Sequence, residues 1–262
     1  MIFVAAGTED GRELAGELLA AGYEVTASVV SRYGEALLQR YPGLQINDTP
    51  LNQAEMVAYM QAHAVQLFVD ASHPYAANVS ANAMAACRAA HVPYLRYERE
   101  ETPLVYEKAH VVKDYHEAAQ VAASLGKHIF LTTGSRNLEA FMHDPALTNC
   151  EVTARVLPDA QGIAACERAG LNPAHIIAMQ GPFSQALNEA LYQKYQAQVV
   201  VMKNSGAIGG TDTKVAAAMA MHLPIVLIER PKITYDRLTH SIAEAVRLAG
   251  EILQTRQEEL ST

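Results

Sequence analysis

Two stretches decide how this chain folds: Ile2-Phe3-Val4-Ala5-Ala6-Gly7-Thr8-Glu9-Asp10-Gly11-Arg12 and Ile129-Phe130-Leu131-Thr132-Thr133-Gly134-Ser135-Arg136-Asn137. Each is a short apolar run that stops at Gly beside a hydroxyl residue and then takes up helical spacing. Buried parallel strands read as such runs. The turn into a helix exposes unpaired N–H groups, which suit an anion. Matching junctions in the two halves point to a phosphorylated cofactor on one side and an anionic substrate on the other.

Outward from these junctions, apolar runs alternate with helical spacing. Strands are expected at Ile2–Ala6, Glu24–Val30, Leu44–Ile46, Val65–Asp70 and Tyr94–Arg96. Helices are expected between them at Glu9–Ala21, Tyr33–Arg40, Asn52–His63 (with Asn52 as N-cap) and Asn78–His91. The pattern then restarts, with strands at Val111–Val112, Ile129–Thr132, Thr153–Leu157, Ile176–Met179, Val199–Met202 and Pro224–Ile228. Its helices are Tyr115–Leu125, Ala160–Ala169, Ser184–Tyr195 and Asp212–His222, and a last helix runs over about Leu238–Arg256. Strand–helix alternation of this kind predicts an α/β fold, parallel sheets covered by helices on both faces. The polar run Glu98-Arg99-Glu100-Glu101-Thr102-Pro103 marks the boundary between residues 1–100 and residues 101–262.

Half of the 262 residues are hydrophobic and 18% are charged, as in a well-filled globular protein. No apolar run approaches the ~18 residues of a membrane span, and no basic segment precedes the first strand, which argues against a secretory signal. Cys87, Cys150 and Cys166 form neither a CxxC pair nor a zinc pattern, so three reduced buried thiols in a cytoplasmic protein are expected. A formal charge of −8 argues against nucleic acid as the main partner. A small anionic ligand needs only a few placed Arg and Lys side chains.

The chemistry clusters where expected strands end. Gly7-Thr8-Glu9-Asp10-Gly11 is G-x-x-x-G rather than the full dinucleotide fingerprint. The amides of Gly7 and Thr8 would meet a pyrophosphate, and Arg12, one turn on, would add charge. The second strand ends Val29-Val30-Ser31-Arg32 without the acid that binds a free ribose, so Ser31 and Arg32 favour NADPH over NADH. Asp70-Ala71-Ser72-His73-Pro74-Tyr75-Ala76 crowds polar groups at the fourth strand's end, where ligands of parallel sheets bind. In the second half, Arg136 suits carboxylate capture. Met179-Gln180-Gly181-Pro182-Phe183-Ser184 ends another strand. Lys203-Asn204-Ser205-Gly206-Ala207-Ile208-Gly209-Gly210-Thr211-Asp212-Thr213-Lys214 joins glycines, which admit close backbone approach, to two lysines.

Taken together, these runs resemble the precorrin-6A reductase family of corrin biosynthesis. The matching pieces are Ala6-Gly7-Thr8-Glu9, Asp70 to Ala76 with Ser80 and Asn82, Pro93-Tyr94-Leu95-Arg96-Tyr97-Glu98-Arg99, Thr132-Thr133-Gly134-Ser135, Gln180 to Ser184, and Lys203-Asn204-Ser205-Gly206 with Gly209-Gly210-Thr211-Asp212-Thr213-Lys214. They span nearly the whole chain in family order. Ser72 stands where Thr is expected and keeps the hydroxyl.

The resemblance implies two Rossmann-like domains with a cleft between them. Residues 1–100 would be the nucleotide-binding domain, and residues 101–262 the substrate-side domain, which would include the terminal helix. It implies nicotinamide-dependent reduction of one double bond in precorrin-6A, or its cobalt form, to precorrin-6B. Any cobalt would arrive with the substrate, so no protein metal site is expected. On this reading Gly7, Thr8, Arg12, Ser31, Arg32, Ser72, Thr133, Gly134 and Ser135 hold NADPH, with NADH the alternative. Arg96, Arg99, Arg136, Gln180, Asn204, Ser205, Gly206, Gly209, Gly210, Thr211 and Lys214 face the carboxylate-rich tetrapyrrole. Lys203 is a candidate for both a carboxylate and a proton. His73, Tyr75 and Lys203 are the three candidate proton donors, and the sequence does not choose among them. No nucleic acid or membrane partner is expected, and a monomer is favoured. The competing readings are another NADPH-dependent reductase or epimerase on the same scaffold, and a two-lobed sensor that binds a nucleotide or metabolite without turnover.

Overall fold

The structure, a computed structural model, describes residues 1–30 and 32–260, with the side chains of residues 32, 259 and 260 outside the description. The chain divides into two compact units: Met1–Glu100 with Pro231–Thr262, and Glu101–Arg230. Each unit is built on one six-stranded, wholly parallel sheet.

In the first unit the elements run β1 (Ile2–Ala5), α1 (Glu9–Ala20), β2 (Val25–Ser28), α2 (Arg32–Leu38), β3 (Gln45–Asn47), α3 (Gln53–Ala62), β4 (Leu67–Asp70), α4 (Ala77–Ala90) and β5 (Tyr94–Tyr97). The second unit holds β6 (Ala109–Val112), α5 (Tyr115–Leu125), β7 (His128–Leu131), α6 (Leu138–Met142), β8 (Glu151–Val156), α7 (Ala160–Arg168), β9 (Ile176–Ala178), α8 (Gln185–Lys194), β10 (Val199–Lys203), α9 (Thr211–Ala220) and β11 (Ile225–Ile228). The chain then returns to the first unit with β12 (Leu238–Thr239) and α10 (Ile242–Leu260).

The first sheet is ordered β3-β2-β1-β4-β5-β12 and the second β9-β8-β7-β10-β11-β6. Strand order therefore reverses direction between β1 and β4 and again between β7 and β10. Alternation of side chains along β1 sorts the two faces. Ile2 and Val4 join Leu14, Ala15 and Leu18 of α1 and Ala245, Ala249 and Ile252 of α10 in one core. Phe3 points the other way, into Met56 and Met60 of α3 and Ala83, Ala86 and Cys87 of α4. In the second unit Phe130, Val200, Met202, Ile225 and Leu227 pack on Tyr192 of α8 and on Val215, Ala217 and Ala218 of α9, while α5 lies against β10 and β11.

The helices start where their caps dictate. Asn52 and Glu55 form a reciprocal capping box at α3. Asp114, Asp159 and Ser184 cap α5, α7 and α8. Cys87 and Cys166 are buried, Cys150 is only half-buried, and all three are free. Burial pushes the Cys87 thiol up to about 12, which leaves it inert. Among the described residues no helix is long and apolar enough to cross a membrane.

Two expectations are corrected. The terminal helix does not belong with residues 101–230, because its small residues Ala245 and Ala249 are buried in the first unit's core. It also begins later than Leu238: Leu238 and Thr239 form β12, paired with Arg96 and Tyr97. A two-residue strand is too short to leave a periodic signal.

A chain that stops at Arg230 lacks both β12 and one wall of the first core. It is expected to lose the cooperative urea transition of the first unit while keeping that of the second. A truncated chain that retains both transitions would show that the returning segment is dispensable.

Candidate functional site

Four of the polar runs singled out in the sequence sit at the carboxyl ends of the strands that flank each reversal of strand order, where open parallel sheets bind ligands, while the run Met179–Ser184 follows the edge strand β9. In the first unit β1 and β4 pair with Ala5 opposite Asp70, which brings the turns after both strands together. Thr8 joins them. Its hydroxyl donates to the carbonyl of Ala71 at 3.0 Å and accepts from the amide of Gly11 at 3.0 Å as N-cap of α1. Gly11 allows this approach, since a Cβ there would stand 2.8 Å from the Ala71 carbonyl oxygen. Gly7 is exposed, with open space where a Cβ would be.

Arg12 is 9% exposed, and its Nε has no hydrogen-bond partner among the described residues. Desolvation lowers the pKa of its guanidinium, against the pull of Glu9. The other acid of the first helical turn, Asp10, is cancelled by Arg99 at 2.7 Å. An anion at this helix N-terminus thus meets less repulsion than the sequence Glu9-Asp10 suggests.

Beneath the second turn lies Asp70, fully buried. Its Oδ1 accepts from Arg96 Nη1 at 2.9 Å and from the Ser72 amide at 2.9 Å, and its Oδ2 accepts from Ser80 and Tyr94 hydroxyls, both at 2.6 Å. Burial pushes the Asp70 carboxyl up, but Arg96 and these hydrogen bonds outweigh it and hold the group below the ordinary carboxylate range. Arg96 also reaches Glu98 at 2.7 Å and Ser72 Oγ at 3.2 Å, and its guanidinium lies over the Tyr235 ring.

Arg96 and Arg99, expected to grip substrate carboxylates, meet internal acids in this structure. Arg96 is 0% exposed, and both are committed to internal acids. They shape the site from behind.

His73 and Tyr75 stand half-buried in the turn that Asp70 supports. The Tyr75 amide donates to His73 Nδ1 at 3.2 Å. With Nδ1 accepting, the neutral imidazole carries its proton on Nε2, a donor tautomer set by the loop itself. Ser31 lies outside the described residues, as does the side chain of Arg32.

In the second unit Thr132 continues β7 through its amide and hydroxyl, which donate to the Val201 carbonyl at 2.9 and 3.1 Å. Thr133 follows, 8% exposed, its hydroxyl without a partner among the described residues. Gly134 turns the chain with φ 78°, Ser135 is half-buried and Arg136 is exposed. Across the reversal, Lys203 is half-buried with its ammonium 5.7 Å from the Tyr115 ring centroid.

The loop after Lys203 is held from within. Asn204 exchanges hydrogen bonds with the Thr102 backbone at 3.0 and 2.9 Å, and Thr211 Oγ1 accepts from the Ser205 amide at 2.9 Å. Gly206 and Gly210 adopt φ values of 73° and 67°, and a Cβ on Gly209 would collide with Ser205. Asn204 and Thr211, expected to contact substrate, brace the loop in this structure. Ser205 and Lys214 are buried, while Gln180 is exposed at the end of the β9 run.

The sequence reading missed Arg155 near the end of β8. It is 6% exposed, bonded to Asn188 Oδ1 at 2.8 Å and stacked 4.0 Å from the Phe183 centroid. An Arg between Ala154 and Val156 in a run expected to be a strand was the available signal. A separate open cavity of about 1060 Å³ lies where β5 begins, lined by Cys87, Arg88, His91 and Arg237 among others, at the opposite end of the first sheet from the turns described above. Among the described residues no group of three or more His, Cys, Asp or Glu is arranged to hold a metal ion.

The family model described as precorrin-6x reductase CbiJ/CobK matches residues 1–249. The chain is 40% identical over 247 residues to the cobalt-precorrin-6A reductase of Priestia megaterium, covering 94% of this chain and 96% of that one. It is 36% identical over 261 residues to the cobalt-precorrin-6A reductase of Salmonella typhimurium, covering 98% of each. Among solved structures, the CobK precorrin-6A reductase superposes with a TM-score of 0.76 at 24% identity over 96% of both chains, a likeness of fold.

The Asp70 cluster makes a signed prediction. Its contribution is fully present above about pH 4, the carboxyl's unfolded pKa, and is lost as pH falls through the lower folded pKa. Urea midpoints measured from neutral to acid pH should fall in this window, and Asp70→Asn should flatten that limb. Arg96→Ala, which strands the buried carboxylate, should cost about 3–5 kcal/mol at neutral pH. A wild-type-like midpoint for Arg96→Ala would refute the charge balance described here.

Proposed function

The chain belongs to the CbiJ/CobK precorrin-6x reductase family, and from that premise we propose that it catalyses nicotinamide-dependent reduction of one double bond in the cobalt-precorrin-6A macrocycle, a step of cobalamin biosynthesis. The observation that carries this reading is the placement of the polar runs. Gly7–Arg12 and Ser72–Tyr75 flank one reversal of strand order, and Thr133–Arg136 and Lys203–Lys214 flank the other. The cobalt-containing form is favoured because the relatives from Priestia megaterium and Salmonella typhimurium carry that substrate in their names.

The first unit suits the pyrophosphate of a nicotinamide cofactor. The exposed Gly7 lets the backbone approach, the N-terminal turn of α1 offers amides, and Arg12 Nε, without a partner among the described residues, adds a buried donor. A bound nicotinamide supplies the hydride. The absence of an acid after β2, with Ser31-Arg32 in its place, favours NADPH over NADH. Thr133, Gly134 and Ser135 provide a second set of turn amides for cofactor phosphate.

In the second unit Arg136, Gln180, Lys203 and Lys214 are the groups assigned to the substrate's carboxylates and polar rim. Hydride addition delivers an electron pair to one carbon, and the partner carbon takes a proton. Of the three candidate donors, His73 is favoured because it stands half-buried in the turn built on Asp70 at the carboxyl end of β4.

Purified protein should oxidise NADPH in the presence of cobalt-precorrin-6A, seen as loss of reduced-nicotinamide absorbance. Nicotinamide binding without oxidation would favour the sensor reading instead. His73→Ala should lower kcat by about 100-fold or more at saturating substrate, and a near-wild-type kcat would remove His73 as the donor. Arg32→Ala should raise KM for NADPH relative to NADH. An unchanged ratio of the two constants would remove the NADPH argument.

A further inference from the structure

Arg12 aside, whose charge feels nearby Glu9, the buried arginines among the described residues fall into two kinds. Arg96 and Arg99 each meet a carboxylate, at 2.9 Å and 2.7 Å. Arg155 is buried to the same degree and meets none among the described residues. Its one hydrogen bond goes to a neutral amide oxygen, that of Asn188, and the influences on its charge are burial, which lowers its pKa, and Tyr192. Tyr192 is itself fully buried, and its hydroxyl has no partner among the described residues. Burying a cation without a counter-charge is costly, and side chains in that state are retained for what they bind more often than for stability.

The position of Arg155 is that of a ligand contact. Register pairs Leu131 with Ala154 and Arg155 with Ile177, so Arg155 stands near the carboxyl ends of β7, β8 and β9. The turn carrying the orphaned Thr133 hydroxyl and the run Gln180–Ser184 leave from the neighbouring strands. Phe183 of that run covers one face of the guanidinium at 4.0 Å. Asn188 holds Nη1 and also donates to the Ser184 carbonyl at 3.1 Å, which ties the side chain to the start of α8. A guanidinium clamped by its face presents its remaining N–H groups in plane, the geometry of bidentate carboxylate capture.

We propose that Arg155 is the seat of an oxyanion subsite in the second unit that receives one carboxylate side chain of the tetrapyrrole, a role that rests on the reductase reading above. The ligand supplies the counter-charge that the ligand-free protein lacks. Arg155 thus joins Arg136 and Lys203 as a specificity-determining residue, and it differs from them in being fixed before the substrate arrives.

The test compares wild type, Arg155→Met and Arg155→Lys in the full chain. KM is measured for cobalt-precorrin-6A and for NADPH, and the urea midpoint is measured without ligand. Arg155→Met is expected to raise KM for the tetrapyrrole about 30-fold or more, since a buried charged contact is lost. Its ligand-free midpoint should stay level or rise, because an uncompensated buried charge is removed. Arg155→Lys, which keeps the charge without the fork, should fall between, and it carries the test if the Met variant does not fold. A lowered midpoint with an unchanged tetrapyrrole KM would make Arg155 a packing residue and overturn the proposal. A rise in KM confined to NADPH would assign the anion to the cofactor and overturn it equally. If wild type itself oxidises no NADPH with the tetrapyrrole, the reductase reading falls and the subsite with it. Wild-type turnover with a wild-type-like KM in both variants sinks the subsite alone.

Discussion

Two neighbouring parallel strands whose following helices leave in opposite directions cannot both be covered at their carboxyl ends. That constraint is met once between β1 and β4 and again between β7 and β10, and four of the polar runs follow those strands. It leaves the turns after four strands open, and it places helix N-termini and unpaired amides beside them. The apolar side chains of the same strands point into helices on both faces, so the sheets themselves are inert supports.

Charge inside the first unit serves that geometry. Asp70 is held ionised in a dry environment by Arg96, two hydroxyls and one amide, and the turn bearing Ser72, His73 and Tyr75 is built directly on it. A buried ion pair adds little net stability over apolar packing, but it admits few arrangements of its neighbours. Arg99 acts in the same spirit one turn away, pairing with Asp10 in the first turn of α1. The second unit uses neutral braces instead: Asn204 spends its side-chain amide on the Thr102 backbone, and Thr211 Oγ1 accepts from the Ser205 amide within the loop. Arg155 stands apart from both patterns because its charge meets no carboxylate among the described residues, only the Asn188 amide oxygen and aromatic rings.

The sequence carried the strand and helix pattern of both halves because a parallel strand buried on two faces must be continuously apolar, and helix caps such as Asn52 and Asp114 announce themselves locally. It carried the runs Gly7–Arg12, Asp70–Ala76 and Lys203–Lys214 for a similar reason: small and polar residues cluster where a strand must end in an open turn. It gave no view of partners. Arg96, Arg99 and Asn204 look like ligand residues when only type and neighbourhood are known. The acids and carbonyls that occupy them lie up to about a hundred residues away in the chain. For β12 the difficulty was length, since two residues cannot establish a period, and its pairing with β5 joins residues more than a hundred apart.

By itself, then, the sequence determined the α/β class, the two-fold recurrence of strand and helix, the family resemblance and the places where chemistry gathers, all of them properties written in local order and composition. Tertiary structure alone decided which charges pair internally, as Arg96 does with Asp70 and Arg99 with Asp10. It also decided that residues after Arg230 complete the first unit rather than the second. The physical reason is common to both: burial and pairing are properties of juxtaposition, and a residue's partner is chosen by the folded sheet rather than by its neighbours along the chain.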